Sequence, residues 1–440
     1  MKSKIRIGCG AGFSGDRFDP SLILVQQGKL DYLVLECLAE RTIALAQKRK
    51  LQNASLGYDP LLERRIEALL LPLMENKVKL ITNMGAANPA AAAQKVIEIA
   101  RRKNLKVRVA AVTGDDVSDK IKDDDKAIET GQSVSASGKL LSANAYLGAP
   151  GIIQALEGEA DIIITGRVAD PSLFIAPMIY EFGWSMDDYG ILGKGTVIGH
   201  LMECAGHITG GYFADPGKKD VPGMATLGHP YADVSPDGSA IISKVEDTGG
   251  LINLLTAKEQ LLYEVVNPHE YFTPDVVADF TTVQLEEVGV NKVRVQGGSG
   301  TRKPETYKVS VGYQAFYLGE GEISYAGSNA VGRAKMAGEI VKTRLKHSFP
   351  ELRVDLIGQN SIHGDSIHRG QVPYEVRLRI AGKAASSEKA ALIGEEIEAL
   401  YTNGPAGGGG VRKYVHEVVG IVSTLIPRNK VSQHVDIQSS

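Results

Sequence analysis

The sequence lacks the features that mark secreted, membrane and nucleic-acid-binding proteins. Only three cysteines occur in 440 residues, Cys9, Cys37 and Cys204, and none is spaced as CxxC, so neither a disulfide framework nor a cysteine-built zinc site is expected. The 49 basic and 52 acidic residues leave a net charge of −3, far from the strong basic field that binding to nucleic acid requires. No apolar run approaches the roughly 18 residues of a membrane span, and glycine interrupts the N-terminal run too early for a signal peptide. We therefore expect a soluble, cytoplasmic protein.

Glycine, in contrast, is abundant. The chain has 49 glycines, about 11 % of its residues against roughly 7 % in ordinary proteins. Such an excess indicates many tight turns or close backbone approaches, which binding loops require. Hydrophobic residues make up 43 % of the chain, enough to form a core, so disorder is excluded for most of the sequence.

The first half predicts a parallel sheet. Short apolar runs alternate with helical segments, of which residues 59–75 and 89–103 are the clearest; the runs are residues 5–9, 32–38, 78–83, 107–113 and 162–165. Strands that are apolar on both faces and separated by helices indicate crossover connections. Asn88 followed by Pro89 is typical of a helix start. Residues 1–225 are thus predicted to form a doubly wound, mostly parallel α/β domain.

The second half, residues 226–440, predicts an α+β domain. Its alternating runs indicate antiparallel, half-exposed strands at residues 238–245, 292–296 and 308–316. From about residue 305 the predicted order is strand, helix (329–347), two strands (352–357 and 374–380), helix (386–401) and strand (416–425). This is the βαββαβ order of a ferredoxin-like sandwich.

Polar residues follow each predicted parallel strand, where ligands bind in open α/β sheets. Glu36 lies within the second run with Glu40 four residues on, and the loops after the others contain Asn83, Asn88, Asp115, Arg167 and Asp170. An arginine at a strand end can hold a carboxylate or phosphate through two hydrogen bonds. Alternatively, Arg167 and Asp170 form an ion pair that holds their loop together.

The glycine loop after the first strand has three interpretations. Gly10, Gly12 and Gly15 match GxGxxG, the fingerprint of dinucleotide-binding folds. A lone match is weak, so a loop that approaches some other ligand closely, or a plain tight turn, also fits. The sequence contains no GxxxxGK[ST] motif, which argues against a P-loop nucleotide site.

A predicted helix at residues 195–208 has an unusual polar face. His200, Glu203, Cys204 and His207 fall at i, i+3, i+4 and i+7, so they share one face of a helix, opposite an apolar arc. His200, Glu203 and His207 could bind a metal ion, His200 and Glu203 could act as general acid and base, and Cys204 could be a nucleophile. The alternative is a buried polar seam against the sheet.

Six blocks, in this order, carry a resemblance to a known family: GCGAGFSGDR, NMGAANP, TGRVADPSL, GHLMECAGHITGGYFADP, GEGEISYAG and YTNGPAGGGG. Together they resemble the acyclic terpene utilisation family of AtuA type over nearly the whole chain. The resemblance implies a soluble protein of catabolic acyl-CoA pathways, often found beside biotin-dependent acyl-CoA carboxylases. It carries over no catalytic residue. His207 replaces the glutamine expected in relatives, which disfavours a metal site that needs His207.

These features predict an enzyme, of lyase, hydratase or hydrolase type, that acts on a branched or terpenoid acyl-CoA or a small carboxylic acid. Its expected catalytic residues are Glu203, His200, Cys204 and Asp170. Substrate would be bound by Arg167, by Asp115 and by backbone donors of two loops, which contain Gly10, Gly12, Gly15, Asn83 and Asn88. No cofactor or metal is assigned.

Two alternatives remain beside the enzyme. One is a non-catalytic partner of a biotin-dependent acyl-CoA carboxylase, with the ferredoxin-like half as its interaction surface. The other, more remote, is a nicotinamide-dependent oxidoreductase. A homo-oligomer is expected in each case.

Overall fold

A computed structural model describes residues 2–367 and 372–440 of the chain, and the fold is mixed α/β. Up to residue 225 its elements are β1 (Ile5–Ala11), α1 (Asp19–Gln27), β2 (Tyr32–Leu35), α2 (Glu40–Gln52), α3 (Leu62–Asn76), β3 (Lys79–Thr82), α4 (Pro89–Arg102), β4 (Arg108–Thr113), β5 (Lys139–Ala145), α5 (Pro150–Glu157), β6 (Ile162–Thr165), α6 (Ser172–Phe182) and α7 (Tyr189–Glu203).

The later elements are mostly strands. They are β7 (Pro230–Val234), β8 (Ala240–Lys244), α8 (Leu254–Leu262), β9 (Tyr271–Phe272), β10 (Val277–Asp279), β11 (Gln284–Gly289), β12 (Lys292–Gln296), β13 (Ser299–Thr301), β14 (Thr306–Ala326), α9 (Ala330–Leu345), β15 (Leu352–Ile357), β16 (Glu375–Ala384), α10 (Ser387–Asn403), β17 (Gly409–Pro427) and β18 (His434–Ser439). Among the described helices, none is long and apolar enough to cross a membrane.

A ten-stranded sheet has the order β11-β12-β8-β7-β1-β2-β3-β6-β4-β18. The five central strands β1, β2, β3, β6 and β4 are parallel to one another, and they arise from the five apolar runs of the first half. Antiparallel strands extend the sheet on both sides. The runs at 238–245 and 292–296, predicted as antiparallel, form β8 and β12 of this same sheet.

Both faces of the parallel strands are buried. On one face, Leu33 and Ile162 share a core with α1, α3 and α4. The next residues along the two strands, Val34 and Ile163, are also fully buried, and successive side chains of a strand point to opposite faces. The helices α5, α6 and α7 contact these strands as well. Burial on both faces explains why the runs are continuously apolar.

The helix start predicted at Asn88 is confirmed. The side-chain oxygen of Asn88 accepts a hydrogen bond from the backbone N–H of Ala91 at 3.3 Å, and Pro89 is the first residue of α4. The same side chain donates to the carbonyls of Ala54 and Leu56. Asn88 therefore organises the backbone around it.

The chain divides into two compact units. The first comprises Met1–Ala136, Leu140–Gly312 and Ile421–Ser440, and the second comprises Ser137–Lys139 and Tyr313–Gly420. Residues 226–312 belong to the first unit, so these units differ from the predicted division at residue 225.

In the sheet of the second unit, the strands β15, β16, β14 and β17 follow one another in that order. Strand β16 pairs antiparallel with both β14 and β15. Helices α9 and α10 form a core with inward-facing strand residues such as Ile323, Leu378 and Ile380. On the sheet, Arg379 pairs with Glu320 and Arg377 with Glu322.

Candidate functional site

A cavity of about 730 Å³ lies in the first unit, beside the carboxyl ends of the parallel strands. The segment after β1 contributes Gly12 and Asp16, the segment after β2 contributes Glu36, and the segment after β6 contributes Arg167 and Asp170. The end of α7 adds Glu203 and Cys204. The parallel topology brings these segments together because the carboxyl ends of parallel strands meet at one edge of the sheet.

The lining of this cavity is rich in carboxyl groups. Its acidic members are Asp16, Glu36, Glu40, Asp170, Glu203 and Glu264, while its permanently charged cations are Arg17, Arg167 and Lys308. Most of these acids come from separate segments of the chain. Crowding carboxyls where water is scarce disfavours their ionised forms, so some of them are expected to hold protons near neutral pH.

Glu203 and His200 form a buried hydrogen-bonded pair at the end of α7. The Nδ1 of His200 lies 2.9 Å from Oε1 of Glu203, and its Nε2 lies 3.1 Å from the backbone carbonyl oxygen of Gln260. A carbonyl oxygen only accepts, so Nε2 carries a hydrogen. The hydrogen bond between Nδ1 of His200 and Oε1 of Glu203 needs one further proton, which either of these two atoms can carry. The pair therefore stores one transferable proton.

The surroundings of this pair favour the protonated carboxyl. Burial raises the pKa of Glu203 to about 7, and the opposing attraction of His200 only partly offsets that effect. The rings of Tyr271 and Phe280 each lie 5.3 Å from the His200 ring and form an apolar shell around it. The second carboxyl oxygen of Glu203, Oε2, is buried and has no hydrogen-bond partner among the residues that the structure describes.

A second acidic group surrounds Glu36. Its Oε1 accepts hydrogen bonds from Asn83 Nδ2 and from the backbone N–H of Leu38, both at 2.9 Å. Burial raises the pKa of Glu36 well above its ordinary value, the nearby Asp170 raises it further, and Arg167 lowers it. Burial also raises the pKa of Asp170, although Arg167 opposes that shift too. Glu36 and Asp170 thus compete for the same cation.

Arg167 makes most of its polar contacts within the protein. It is 1 % exposed, pairs with Asp170, and donates hydrogen bonds to the carbonyl oxygens of Val168 and Leu38. Its guanidinium lies 4.6 Å from the ring centroid of Tyr146. These contacts favour the interpretation in which Arg167 and Asp170 hold their loop together over direct binding of a substrate carboxylate.

The glycine loop does not have the geometry of a dinucleotide fingerprint. Strand β1 continues to Ala11 and α1 begins only at Asp19, so Gly15 does not open a helix. A Cβ at Gly12 would come within 2.6 Å of the Cys204 backbone, and the N–H of Gly12 donates to Asp16 at 3.0 Å. Gly12 lines the cavity, whereas Gly10 and Gly15 do not. Gly12 thus allows close approach of the chain to Cys204, which follows the last residue of α7.

Three other predicted binding residues lie behind the cavity wall or away from it. Asn83 is buried and orients Glu36, and Asn88 caps α4. Asp115 accepts hydrogen bonds from Asn144 and from the backbone N–H of Arg167, both at 2.9 Å, and burial raises its pKa to about 6. None of the three lines the cavity.

The predicted helix at 195–208 is wrong at both ends. Helix α7 begins at Tyr189 and ends at Glu203, and a short 3₁₀ turn, Ala205–His207, follows. Ala205 has a φ of 43°, which is incompatible with continuing the α-helix. The four polar residues therefore do not form a single helix face. His200, Glu203, Cys204 and His207 still lie close together, and all but His200 line the cavity.

Cys204 and His207 have environments unlike those of an activated thiol or a charged imidazole. Burial and the neighbouring Glu203 raise the pKa of the Cys204 thiol, whereas nucleophilic cysteines lie in electropositive surroundings. Burial lowers the pKa of His207, whose ring lies between those of Tyr212 and Tyr263. Within residues 2–367 and 372–440, no group of three or more His, Cys, Asp or Glu side chains is arranged to hold a metal ion.

Several lining residues were not among those predicted from the sequence. Glu36 has a local signal, because it is a charged residue inside the apolar run YLVLECL. Tyr146, His229 and Tyr271 have none, since they come from distant segments whose sequences do not differ from ordinary loops and strands. His229 Nδ1 donates to the Gly10 carbonyl at 3.1 Å, and its Nε2 lies 3.7 Å from Asp16.

Comparison with known proteins gives one match. The model of the family described as acyclic terpene utilisation family protein AtuA matches residues 5–437, nearly the whole chain. No curated protein and no solved structure matches the chain.

Proposed function

The chain belongs to the acyclic terpene utilisation family of AtuA-type proteins, and from that premise we propose that it is a catabolic acid–base enzyme. Family membership suggests a role in acyclic terpene utilisation. The reaction we propose is of the lyase, hydratase or hydrolase type, on a branched or terpenoid acyl-CoA or a small carboxylic acid. The first unit would be a doubly wound α/β domain and the second a ferredoxin-like one, as its strand order supports.

The observation that carries this proposal is the free carboxyl oxygen of Glu203. A buried polar atom without a partner costs about 1–3 kcal/mol, and Oε2 of Glu203 is such an atom in a side chain that lines the cavity. A substrate hydroxyl or a water molecule bound there would satisfy it. The pKa of about 7 suits a group that both takes and gives a proton near neutral pH.

The two acidic groups supply the two halves of an acid–base reaction. Glu203, oriented by His200, takes a proton from water or a substrate hydroxyl. The Glu36–Asp170 pair would donate one to the substrate, because burial raises the pKa of both carboxyls and so favours their protonated forms. Adding or removing water needs one group of each kind. In this proposal Arg167 holds Asp170 in position through their ion pair, and Cys204 forms part of the cavity wall.

The first experiment is thermal unfolding of the protein with methyl-branched and straight-chain acyl-CoA thioesters and their free acids. A ligand at about a hundred times its dissociation constant should stabilise the protein by roughly 2.7 kcal/mol. A shift with one ligand class identifies the substrate class for turnover assays. If no ligand produces a shift and carboxylase subunits co-purify with the protein, the non-catalytic partner becomes the better proposal.

The second experiment is the substitution Glu203→Gln, with Glu246→Gln as the matched control because Glu246 is exposed and does not line the cavity. We expect Glu203→Gln to lower kcat by about 10²–10⁴, the usual contribution of a general acid or base, with little change in ligand affinity. Glu246→Gln should keep full activity. Undiminished kcat in Glu203→Gln would remove Glu203 from the mechanism.

Two further proposals concern assembly and location. A homo-oligomer is proposed, to be checked by sedimentation of the full chain, and a cytoplasmic location, to be checked by cell fractionation.

A further inference from the structure

An apolar groove adjoins the acidic cavity in the first unit. Its volume is about 550 Å³, within the range of small-molecule sites. Four side chains line both spaces, Tyr146, Asp170, Tyr271 and Lys308. The remaining lining consists mainly of aliphatic, aromatic and proline side chains.

Three large apolar side chains of the groove are exposed to solvent. Ile128 is 58 % exposed, Phe272 66 % and Leu425 52 %, and all three line the groove. Exposed apolar side chains that gather around a concavity mark a place where apolar surface of a ligand or partner is buried. The groove is thus suited to a hydrocarbon chain.

The boundary between the groove and the cavity fixes where such a chain would end. Tyr271 lines the groove and its ring lies 5.3 Å from that of His200, the partner of Glu203. The Nζ of Lys308 lies 4.9 Å from the Tyr146 ring centroid and 3.5 Å from a Glu40 carboxyl oxygen. The apolar groove therefore leads to polar groups that can contact the head of an amphipathic molecule.

We propose that the groove binds the hydrocarbon chain of an acyl ligand whose carboxyl or thioester group lies in the acidic cavity. This inference rests on the proposed function and narrows its substrate class: ligands with an extended apolar chain are favoured over small hydrophilic acids. The groove is concave and shares four lining side chains with the cavity. These two features favour the hydrocarbon chain of a small molecule over a second copy of the protein as the occupant.

The test is isothermal titration calorimetry with butanoate, octanoate and dodecanoate, and with their CoA thioesters. Each methylene buried in the groove should tighten binding by about fourfold. Comparing the free acids with the CoA thioesters shows whether the ligand is a free acid or an acyl-CoA, because only the thioesters carry CoA. Affinity independent of chain length in both series would overturn the proposal.

Variants of groove residues then test where the hydrocarbon chain of the ligand binds. Ile128→Asp and Leu425→Asp place a carboxylate in the groove at exposed positions where folding should tolerate it, and Val290→Asp is the matched control, because Val290 is 89 % exposed and lines neither space. The groove variants should weaken binding of the octanoyl ligands by about tenfold or more. Butanoyl ligands should change by less than about twofold, and the control should bind as the wild type does.

Two results would overturn this assignment of the groove. One is a chain-length dependence that survives in both groove variants. The other is a change of sedimentation in Ile128→Asp with unchanged ligand binding, which would make the groove an interface between copies. Neither result depends on catalysis. Glu203→Gln tests the proposed function separately, because it should lose turnover and keep the chain-length dependence.

Discussion

At the scale of single residues, the chemistry of the cavity depends on where carboxyl groups are buried. Glu203 and Glu36 are 7 % and 8 % exposed, and burial raises the pKa of each. Each also has a defined partner, His200 for Glu203 and Asn83 for Glu36. The partners fix the orientation of the carboxyls, and desolvation raises the pKa of each.

The raised pKa of Glu203 predicts a pH dependence of stability. Its pKa rises from 4.5 in the unfolded chain to about 7 in the folded one, so the folded state binds more protons between these values. Stability should therefore decrease as pH rises from about 4.5 to 7, by on the order of 3 kcal/mol from this group. Beside burial, the charge of His200 lowers the pKa of Glu203, and those of Asp170 and Glu264 raise it.

The measurement is urea unfolding of the wild type and of Glu203→Gln between about pH 5 and pH 8. Because glutamine does not titrate, the variant should lose less stability over this range. Equal slopes of unfolding free energy against pH in the two proteins would contradict the raised pKa.

At the scale of secondary-structure elements, α7 is held in place by its glycines. It contains Gly190, Gly193, Gly195 and Gly199, although glycine lowers helix stability by roughly 1 kcal/mol relative to alanine. A Cβ at Gly193 would come within 2.0 Å of the Ser299 carbonyl oxygen, and one at Gly199 within 3.0 Å of Pro171. Close packing of α7 against β13 and α6 thus needs these glycines.

Gly193→Ala and Gly190→Ala form a matched pair of variants that tests this packing. Both lie in α7, but a Cβ at Gly190 meets only the Asp188 carboxyl, at 3.5 Å. We expect Gly193→Ala to destabilise the protein by about 1–3 kcal/mol through overpacking, and Gly190→Ala to stabilise it by roughly 0.4–1 kcal/mol. Chemical denaturation measures both, and equal effects would show that α7 tolerates a side chain at Gly193.

At the scale of the whole molecule, strand β18 forms one edge of the ten-stranded sheet and covers β4. Strand β18 pairs antiparallel with β4 over six residues, from His434 opposite Thr113 to Ser439 opposite Arg108. The Gln433 side chain also accepts a hydrogen bond from the N–H of Gly151 at 2.8 Å. Without β18, β4 would become an unprotected edge of the sheet.

Removal of residues 434–440 should therefore destabilise the first unit by roughly 3–6 kcal/mol, at about 0.5–1 kcal/mol for each lost hydrogen bond, and increase aggregation. Urea unfolding and light scattering measure the two effects. His434→Ala is the control, because it keeps the backbone pairing and changes an exposed side chain. A truncated chain as stable as this control would show that β18 contributes little.

The fold class and the parallel strands were determined locally by the sequence. Runs such as residues 32–35 and 162–164 are apolar at every position because both of their faces are buried, and the helix start at Asn88–Pro89 depends only on neighbouring residues. The family was likewise recognisable from local blocks, since each motif is contiguous. Patterns of this kind need no knowledge of distant contacts.

The position where α7 ends and the composition of the cavity were decided by the tertiary structure. Helix periodicity alone continues through Ala205, yet the chain there adopts a positive φ, while the Cys204 backbone next to it packs against Gly12. Tyr146, His229 and Tyr271 reach the cavity from segments far apart in the sequence. The raised pKa values follow from the same assembly, because desolvation depends on every group that covers a carboxyl and not on its sequence neighbours.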